Sequence, residues 1–166
     1  MKRICLDNHI LIWGVRGIST PGQEVMISRA TTLLEELDEN DVDILVPAVV
    51  VSEFLAGVPK ERHTELLNVL NGRFQLPPFD VRAAAVAAAI WRDSAARDPN
   101  LRERVREAFP ETKSAKIKAD VQILATALAR NADVLYTHDG PLRTIADGLI
   151  EVRELPQPRP KQAELL

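Results

Sequence analysis

The sequence predicts an α/β protein, a three-layer α/β/α sandwich built around a short parallel sheet. Short apolar runs of strand length alternate with longer segments of helical period, and this alternation is typical of a parallel sheet that helices cover on both faces. The chain has 166 residues, of which 46% are apolar and 27% are charged. This length suits a single domain with a sizeable core.

Four runs have the composition of buried strands. They are KRICLD at 2–7, DILVP at 43–47, DVLYT at 133–137 and GLIEV at 148–152. A further segment, FQLPPF at 74–79, is predicted to be extended. Asn8 or His9 is expected to open a short helix directly after the first strand.

Helical periodicity predicts the layers that cover the sheet. The predicted helices run over 24–37, from Pro47 through Glu53, over 60–70, over 81–97, and from Asp120 onward. Pro47 suits the first turn of its helix. Asn71-Gly72 is a stop signal for the helix over 60–70. Residues 98–100 (Asp-Pro-Asn) end the helix over 81–97.

Four acidic residues lie inside apolar elements or at their ends: Asp7, Glu53, Asp120 and Asp139. An ionised carboxylate in apolar surroundings usually needs a charged partner or a metal. Asp7 and Asp139 each follow a strand, and ligands bind beyond the carboxyl ends of parallel strands. Asp120, at a helix N-terminus, and Glu53, in mid-helix, are able to lean toward the same edge. We therefore expect the four carboxylates to lie within about 10 Å of one another, around one or two metal ions.

Each acid taken alone also has a purely structural explanation. Asp7 could cap the following helix, Asp120 could favour a helix N-terminus through the macrodipole, and Asp139 before Gly140 suits a turn. Glu53 has the weakest such explanation, because it is the only charged residue in its apolar segment. The metal-site prediction therefore depends on the four residues together.

Three segments resemble the PIN-domain ribonucleases, and among them the VapC-type toxins of bacterial toxin–antitoxin modules. The segments are LDNHILIWGV, VSEFLAGV and IKADVQILATALARNADVLYTHD, and the resemblance extends from about residue 3 to residue 152. It implies a PIN-like fold, bound Mg²⁺ or Mn²⁺, and cleavage of RNA. The family pattern assigns catalysis and metal binding to Asp7, Glu53, Asp120 and Asp139.

Two polar residues beside the acids are assigned auxiliary roles. The family usually has Thr or Ser after its first Asp, whereas this chain has Asn8, which donates a hydrogen bond with different geometry. Thr137 lies two residues before Asp139 and could hold a metal-bound water or orient a carboxylate through its hydroxyl. The change at Asn8 keeps open a catalytically weak PIN module that binds RNA or protein.

A basic stretch before Asp120 predicts a path for the phosphates of RNA. The predicted substrate contacts are Arg102, Arg106, Lys116 and Lys118. Phosphate contacts of this kind give affinity and position without selecting a sequence. Acidic residues are interspersed among them, so a solvated amphipathic helix explains the pattern about equally well.

Composition and local sequence also predict the extent of the domain, its location and the role of its cysteine. Residues 1–153 are predicted to form the nuclease domain, and 154–166 a Pro-rich extended tail. No segment has the length of a membrane span or a signal peptide, so the cytoplasm is the expected location. Cys5 is the single cysteine and is predicted to be a small core residue. The net charge of −3 argues against a broadly basic nucleic-acid coat.

The resemblance also implies protein partners, namely a cognate antitoxin and a second copy of the chain. We expect the antitoxin to place an Arg or Lys among the carboxylates and to pack an apolar helix in a nearby groove. The predicted groove lies between the helix that carries Glu53 and the leucine-rich face formed by Leu33, Leu34 and Leu37. Burial of these leucines in the core is the competing explanation. A PIN nuclease that processes RNA without an antitoxin remains an alternative. An unrelated phosphotransfer fold is disfavoured, because it usually needs a second Asp where this chain has His9.

Overall fold

The computed structural model describes residues 2–158 and contains a four-stranded parallel sheet with strand order β2-β1-β3-β4. The strands are Arg3–Leu6 (β1), Asp43–Leu45 (β2), Val134–Tyr136 (β3) and Glu151–Arg153 (β4). Cys5 in the inner strand β1 lies opposite Leu45 on one side and Leu135 on the other. All three side chains are buried. The predicted fold class is thereby confirmed.

Helices connect and cover these strands. Among the described residues they are Asn8–Leu11 (α1), Glu24–Glu39 (α2), Ala48–Ala56 (α3), His63–Arg73 (α4), Val81–Ala95 (α5), Leu101–Ala108 (α6), Ser114–Ala129 (α7) and Gly140–Ala146 (α8). One turn of π-helix, Ile12–Arg16, continues α1, and a 3₁₀ turn, Lys60–Arg62, precedes α4. Helix α7 is buried along most of its length and packs on α5 and α8. It therefore forms the centre of one helical layer.

Two predicted helix boundaries are wrong. Helix α7 begins at Ser114, so Asp120 lies in its second turn and not at its N-terminus. The intervening residues 115–119 are mostly good helix formers and carry no stop signal. Helix α4 continues through Gly72 to Arg73, because the amide of Phe74 donates to the carbonyl of Leu70 (2.8 Å) and both side chains are buried.

The fourth strand begins later than predicted. Gly148 has a φ of 76° and lies in the turn that follows α8, and pairing with β3 starts at Glu151. The left-handed backbone conformation that glycine tolerates is incompatible with a strand residue. The predicted run GLIEV therefore contributes only its last two residues to the sheet.

The leucine-rich face of α2 belongs to the core. Leu33, Leu34 and Leu37 are all buried, and a Cβ added to Gly14 would lie 2.6 Å from Cδ1 of Leu34. Since nothing of this face is open, the predicted docking groove at these leucines is wrong, and core burial explains the pattern. Cys5 is a buried core residue, as predicted.

The start of the predicted tail is held against the domain. Leu155 is buried, and its amide donates to Nε2 of His138 (2.9 Å). The guanidinium of Arg29 donates to the carbonyls of Leu155 and Pro156. Residues 159–166 of the tail lie outside the described residues, so the domain boundary stays a prediction. No helix in the described part of the chain is both long and apolar enough to cross a bilayer.

Candidate active site

Asp7 directly follows β1 and is held by hydrogen bonds at both carboxylate oxygens. Oδ1 accepts from the amide of Asn8 (2.7 Å), which makes Asp7 the cap of α1. Oδ2 accepts from the hydroxyl of Thr137 (2.7 Å), and both side chains are buried. The capping explanation is therefore correct for Asp7, and it fixes the carboxylate at the end of the central strands.

Asp139 follows β3 and caps α8, since its Oδ1 accepts from the amide of Leu142 (2.8 Å). Its own amide donates to the hydroxyl of Thr137 (3.0 Å). Because the same hydroxyl donates to Asp7, Thr137 links the two strand-end acids and sets their relative positions. The hydrogen bond from Thr137 to Asp7 matches the predicted role of Thr137 in orienting a carboxylate.

Asp120 reaches the cluster from α7 together with Lys116, one turn earlier. The ammonium of Lys116 donates to Oδ1 of Asp120 (2.5 Å) and lies 3.1 Å from Oδ2 of Asp139. Asp120 is fully buried, and within the described chain its Oδ2 has no hydrogen-bond partner. Lys116 thus joins the helix acid to a strand-end acid.

Glu53 approaches from α3 and is partly buried. It lines a cavity of about 360 Å³ together with Asp7, Lys116 and Asp139. Since Lys116 also holds Asp120, the structure brings the four sequence-predicted acids together at one place. Their role in catalysis and metal binding remains a prediction.

Burial and mutual repulsion govern the ionisation of these acids. Burial raises the pKa of Asp7, while the hydrogen bonds from Thr137 and Asn8 work in the opposite direction. Burial, together with repulsion from Asp7, also raises the pKa of Glu53. Keeping both groups ionised in this pocket requires added positive charge.

Lys116 supplies part of that charge. Burial raises the pKa of Asp120 to about 7, although the nearby ammonium of Lys116 opposes the rise. Burial lowers the pKa of Lys116, but the attraction of Asp120 and Asp139 outweighs it and raises the value to about 12. Lys116 is therefore charged at neutral pH. A single ammonium cannot neutralise four carboxylates. The charge of the site therefore favours the binding of a further cation.

The donor atoms fit a hard divalent cation. Two oxygens that are buried at the site, Oδ2 of Asp120 and Oδ1 of Asn8, have no hydrogen-bond partner within residues 2–158. Carboxylate and amide oxygens are ligands that Mg²⁺ and related ions accept. Across the same residues, no three acidic, His or Cys side chains form a ready-made metal cluster, and the ammonium of Lys116 lies between two of the acids.

The predicted basic path is only partly at the site. Lys116 lines the acidic cavity. The guanidinium of Arg102 instead lies 4.3 Å from the ring centre of Trp91, and Arg106 donates to the hydroxyl of Ser114 (2.7 Å). Lys118 is exposed on α7. Substrate binding by Arg102, Arg106 and Lys118 stays a prediction. The contacts of Arg102 and Arg106 link α6 to α5 and to α7.

Two features of the site were missed in the sequence. Lys116 was assigned to substrate, whereas its i,i+4 spacing to Asp120 was a readable signal for an ion pair on one helix. Phe109 was not singled out, although it is partly exposed beside Gly140. No local pattern in the sequence predicts the contact of Phe109 with Gly140, because it depends on how two helices that are distant in the sequence meet.

Comparisons with known proteins agree with this architecture. A family model described as "PIN domain" matches residues 4–148. The chain is similar to VapBC2 from Rickettsia felis bound to a promoter DNA fragment, with a TM-score of 0.60, 16% identity, and coverage of 93% of this chain and 99% of that chain. It is also similar to DNA-bound VapBC from Salmonella typhimurium, with a TM-score of 0.58, 18% identity, and coverage of 94% and 100%. A search of curated proteins found no match. At these identities the two structures show a shared fold.

Proposed function

The chain belongs to the PIN domain family, and on that basis we propose that it is a metal-dependent ribonuclease that acts as the toxin of a type II toxin–antitoxin pair. The observation that carries the proposal is that Asp7, Glu53 and Asp139 line one cavity at the carboxyl ends of the strands, and that Lys116 joins Asp120 to Asp139 beside it. The fold shared with two VapBC structures supports the toxin assignment.

The four acids would hold Mg²⁺ or Mn²⁺. When bound, such a cation supplies Lewis-acid chemistry at a phosphate and lowers the pKa of water. The protein contributes rigid placement, because Thr137 and the α1 N-terminus fix Asp7, and the α8 N-terminus fixes Asp139. No serine, cysteine or histidine nucleophile is required for this chemistry.

Lys116 is suited to contact the substrate as well as the acids. Its side chain is 37% exposed and lines the cavity, and its ammonium lies beside Asp120 and Asp139. A cation in this position gives the phosphate of an RNA strand a charge-assisted partner beside the carboxylates. The same charge offsets the repulsion that four acids would exert on the substrate.

Metal dependence provides the direct test of the proposed function. The purified chain is expected to cleave single-stranded RNA in Mg²⁺ or Mn²⁺, to stop in EDTA, and to recover when excess metal is added. A labelled oligonucleotide resolved on a gel gives the rate. Glu53→Gln protein purified in the same way controls for contaminating ribonuclease. Cleavage that proceeds at the same rate in EDTA would exclude the mechanism.

Replacing Lys116 tests whether its ammonium and the metal neutralise the same carboxylates. In EDTA, Lys116→Met is expected to lose about 1–2 kcal/mol, or roughly 2–8 °C in Tm, because Asp120 loses its partner. This is less than the about 3–5 kcal/mol of a fully buried pair, since the Lys116 side chain is 37% exposed. Added Mg²⁺ should then raise the Tm of this variant more than that of the wild type. Lys118→Met, two residues away on the exposed side, is the matched control. Equal metal-induced shifts in Lys116→Met and wild type would show that the two cations act independently.

A further inference from the structure

A second cavity, of about 570 Å³, opens beside the acidic one. Four apolar residues line it, Ala108, Phe109, Pro110 and Pro141, and its polar lining consists of Glu111, Thr112, Lys113 and Lys116. Resting on the proposed ribonuclease function, we propose that this cavity binds the base of a nucleotide next to the cleaved phosphate. The phosphate itself would lie at Lys116, and the base would stack on Phe109.

The ring of Phe109 packs on the start of α8, next to one of the four acids. A Cβ added to Gly140 would lie 2.1 Å from Cζ of Phe109, so the ring covers a position that only glycine leaves free. Gly140 is the first residue of α8 and follows Asp139 immediately. A base stacked on this ring would therefore lie close to Asp139, since the Cα atoms of Asp139 and Gly140 are about 3.8 Å apart.

The backbone of Phe109 is held in place by hydrogen bonds within its own loop. The amide of Phe109 donates to the carbonyl of Val105 (2.8 Å), and its carbonyl accepts from the amide of Thr112 (3.0 Å). The side chain of Arg106 donates to Ser114, which ties α6 to α7 on either side of the loop. A platform that is ordered before binding loses little conformational freedom when a ligand stacks on it.

Charge and size favour a nucleotide over an apolar protein segment. Lys116 lines both cavities, so an RNA strand passing from one to the other keeps its phosphate on the ammonium while its base enters the apolar part. Every nucleobase offers a flat π-face for Phe109, and stacking of this kind tolerates any sequence. The cavity volume falls in the range of about 300–1,000 Å³ that small-ligand pockets have. An apolar helix in the same place would desolvate Lys113 without giving its ammonium a partner.

Single abasic substitutions along an RNA oligonucleotide test this subsite. Affinity is measured by fluorescence anisotropy with Glu53→Gln protein, which leaves the RNA uncleaved. Cleavage is measured with protein in which Glu53 is unchanged. We expect one position next to the cleaved bond at which base removal lowers affinity and cleavage by about 5- to 100-fold, as loss of one base–aromatic stack does. Phe109→Ala should cause a similar loss with unmodified RNA and should remove the effect of the abasic site.

Two matched variants separate stacking from packing. Phe109→Trp keeps a π-face and should keep the abasic effect, whereas Phe109→Leu keeps apolar bulk and should lose it. An unchanged Mg²⁺-induced shift in Tm would show that the acids beside Gly140 are intact in each variant. An abasic profile that is the same in Phe109→Ala and in wild type would overturn the subsite. So would a Phe109→Ala protein that treats RNA normally but no longer binds a protein inhibitor.

Failure of the subsite and failure of the proposed function give different results. If the wild-type chain cleaves RNA while the abasic profile is flat, only the subsite is wrong. If the chain cleaves no RNA in any divalent metal, the ribonuclease proposal is wrong. The affinity measurements still decide whether Phe109 stacks a base in that case.

Discussion

Asp7→Asn, Glu53→Gln and Asp120→Asn are each expected to lower RNA cleavage by more than about 100-fold. Residues that only support metal ligands already cost 10- to 100-fold when they are replaced, so loss of a ligand itself should cost more. Asp120→Asn is the most telling of the three, because it keeps the shape of a fully buried side chain and removes the charge that pairs with Lys116. The rate of cleavage of a labelled RNA in Mg²⁺ measures the effect.

Exposed acids of the same types provide the controls. Asp38→Asn and Glu65→Gln lie on the surface in ion pairs with Arg73 and Arg62, and both should cleave RNA at the wild-type rate. Thermal unfolding in EDTA should show that the site variants remain folded. Cleavage by Asp120→Asn within a few-fold of wild type would remove the acid cluster from the mechanism.

Asp120→Asn should in addition be at least as stable as wild type at pH 8 in EDTA. The ordinary pKa of an aspartate is about 3.9, whereas burial raises that of Asp120 to about 7. A carboxyl whose folded-state pKa is raised loses stability as the pH rises through this interval, because the unfolded chain ionises first. The neutral amide avoids that loss. Asp120 is therefore expected to oppose folding when no metal is present.

The sheet and the acids were predictable because both follow from local sequence. Runs such as that ending at Asp7 have the length and composition of buried strands, and the edge formed by parallel strands places Asp7 and Asp139 together without further information. Glu53 stood out because a lone charge in an apolar helix needs a partner. These inferences use only spacing and polarity, which the sequence displays directly.

The remaining features depend on packing between distant segments. Periodicity showed that Leu33, Leu34 and Leu37 form an apolar face, but it does not distinguish burial in the core from a surface that a partner covers. The position of Phe109 over Gly140 depends on how the loop after α6 meets the start of α8. The start of α7 was missed because Lys116 and Lys118 were interpreted as part of a path for phosphates, although residues 114–119 are compatible with a helix.

Expression of the chain alone in a bacterial host is expected to stop growth, and expression of the Glu53→Gln variant is expected to be harmless. A ribonuclease whose phosphate contacts select no sequence endangers the cell that makes it, so the toxin proposal requires an inhibitor that covers the acidic cavity. Lys116 shows which chemistry that inhibitor needs, since one ammonium already binds Asp120 and Asp139.

An inhibitor that extends an Arg or Lys toward Glu53 and Asp7 would neutralise the remaining acids and displace the metal. Co-expression with the protein encoded next to the chain should therefore restore growth, as colony counts would show. Replacing that Arg or Lys with Ala in the neighbour should abolish the rescue, while a distant Lys→Ala change should not. If the chain alone leaves growth unchanged but the purified protein still cleaves RNA, the antitoxin proposal fails and a role in RNA processing takes its place.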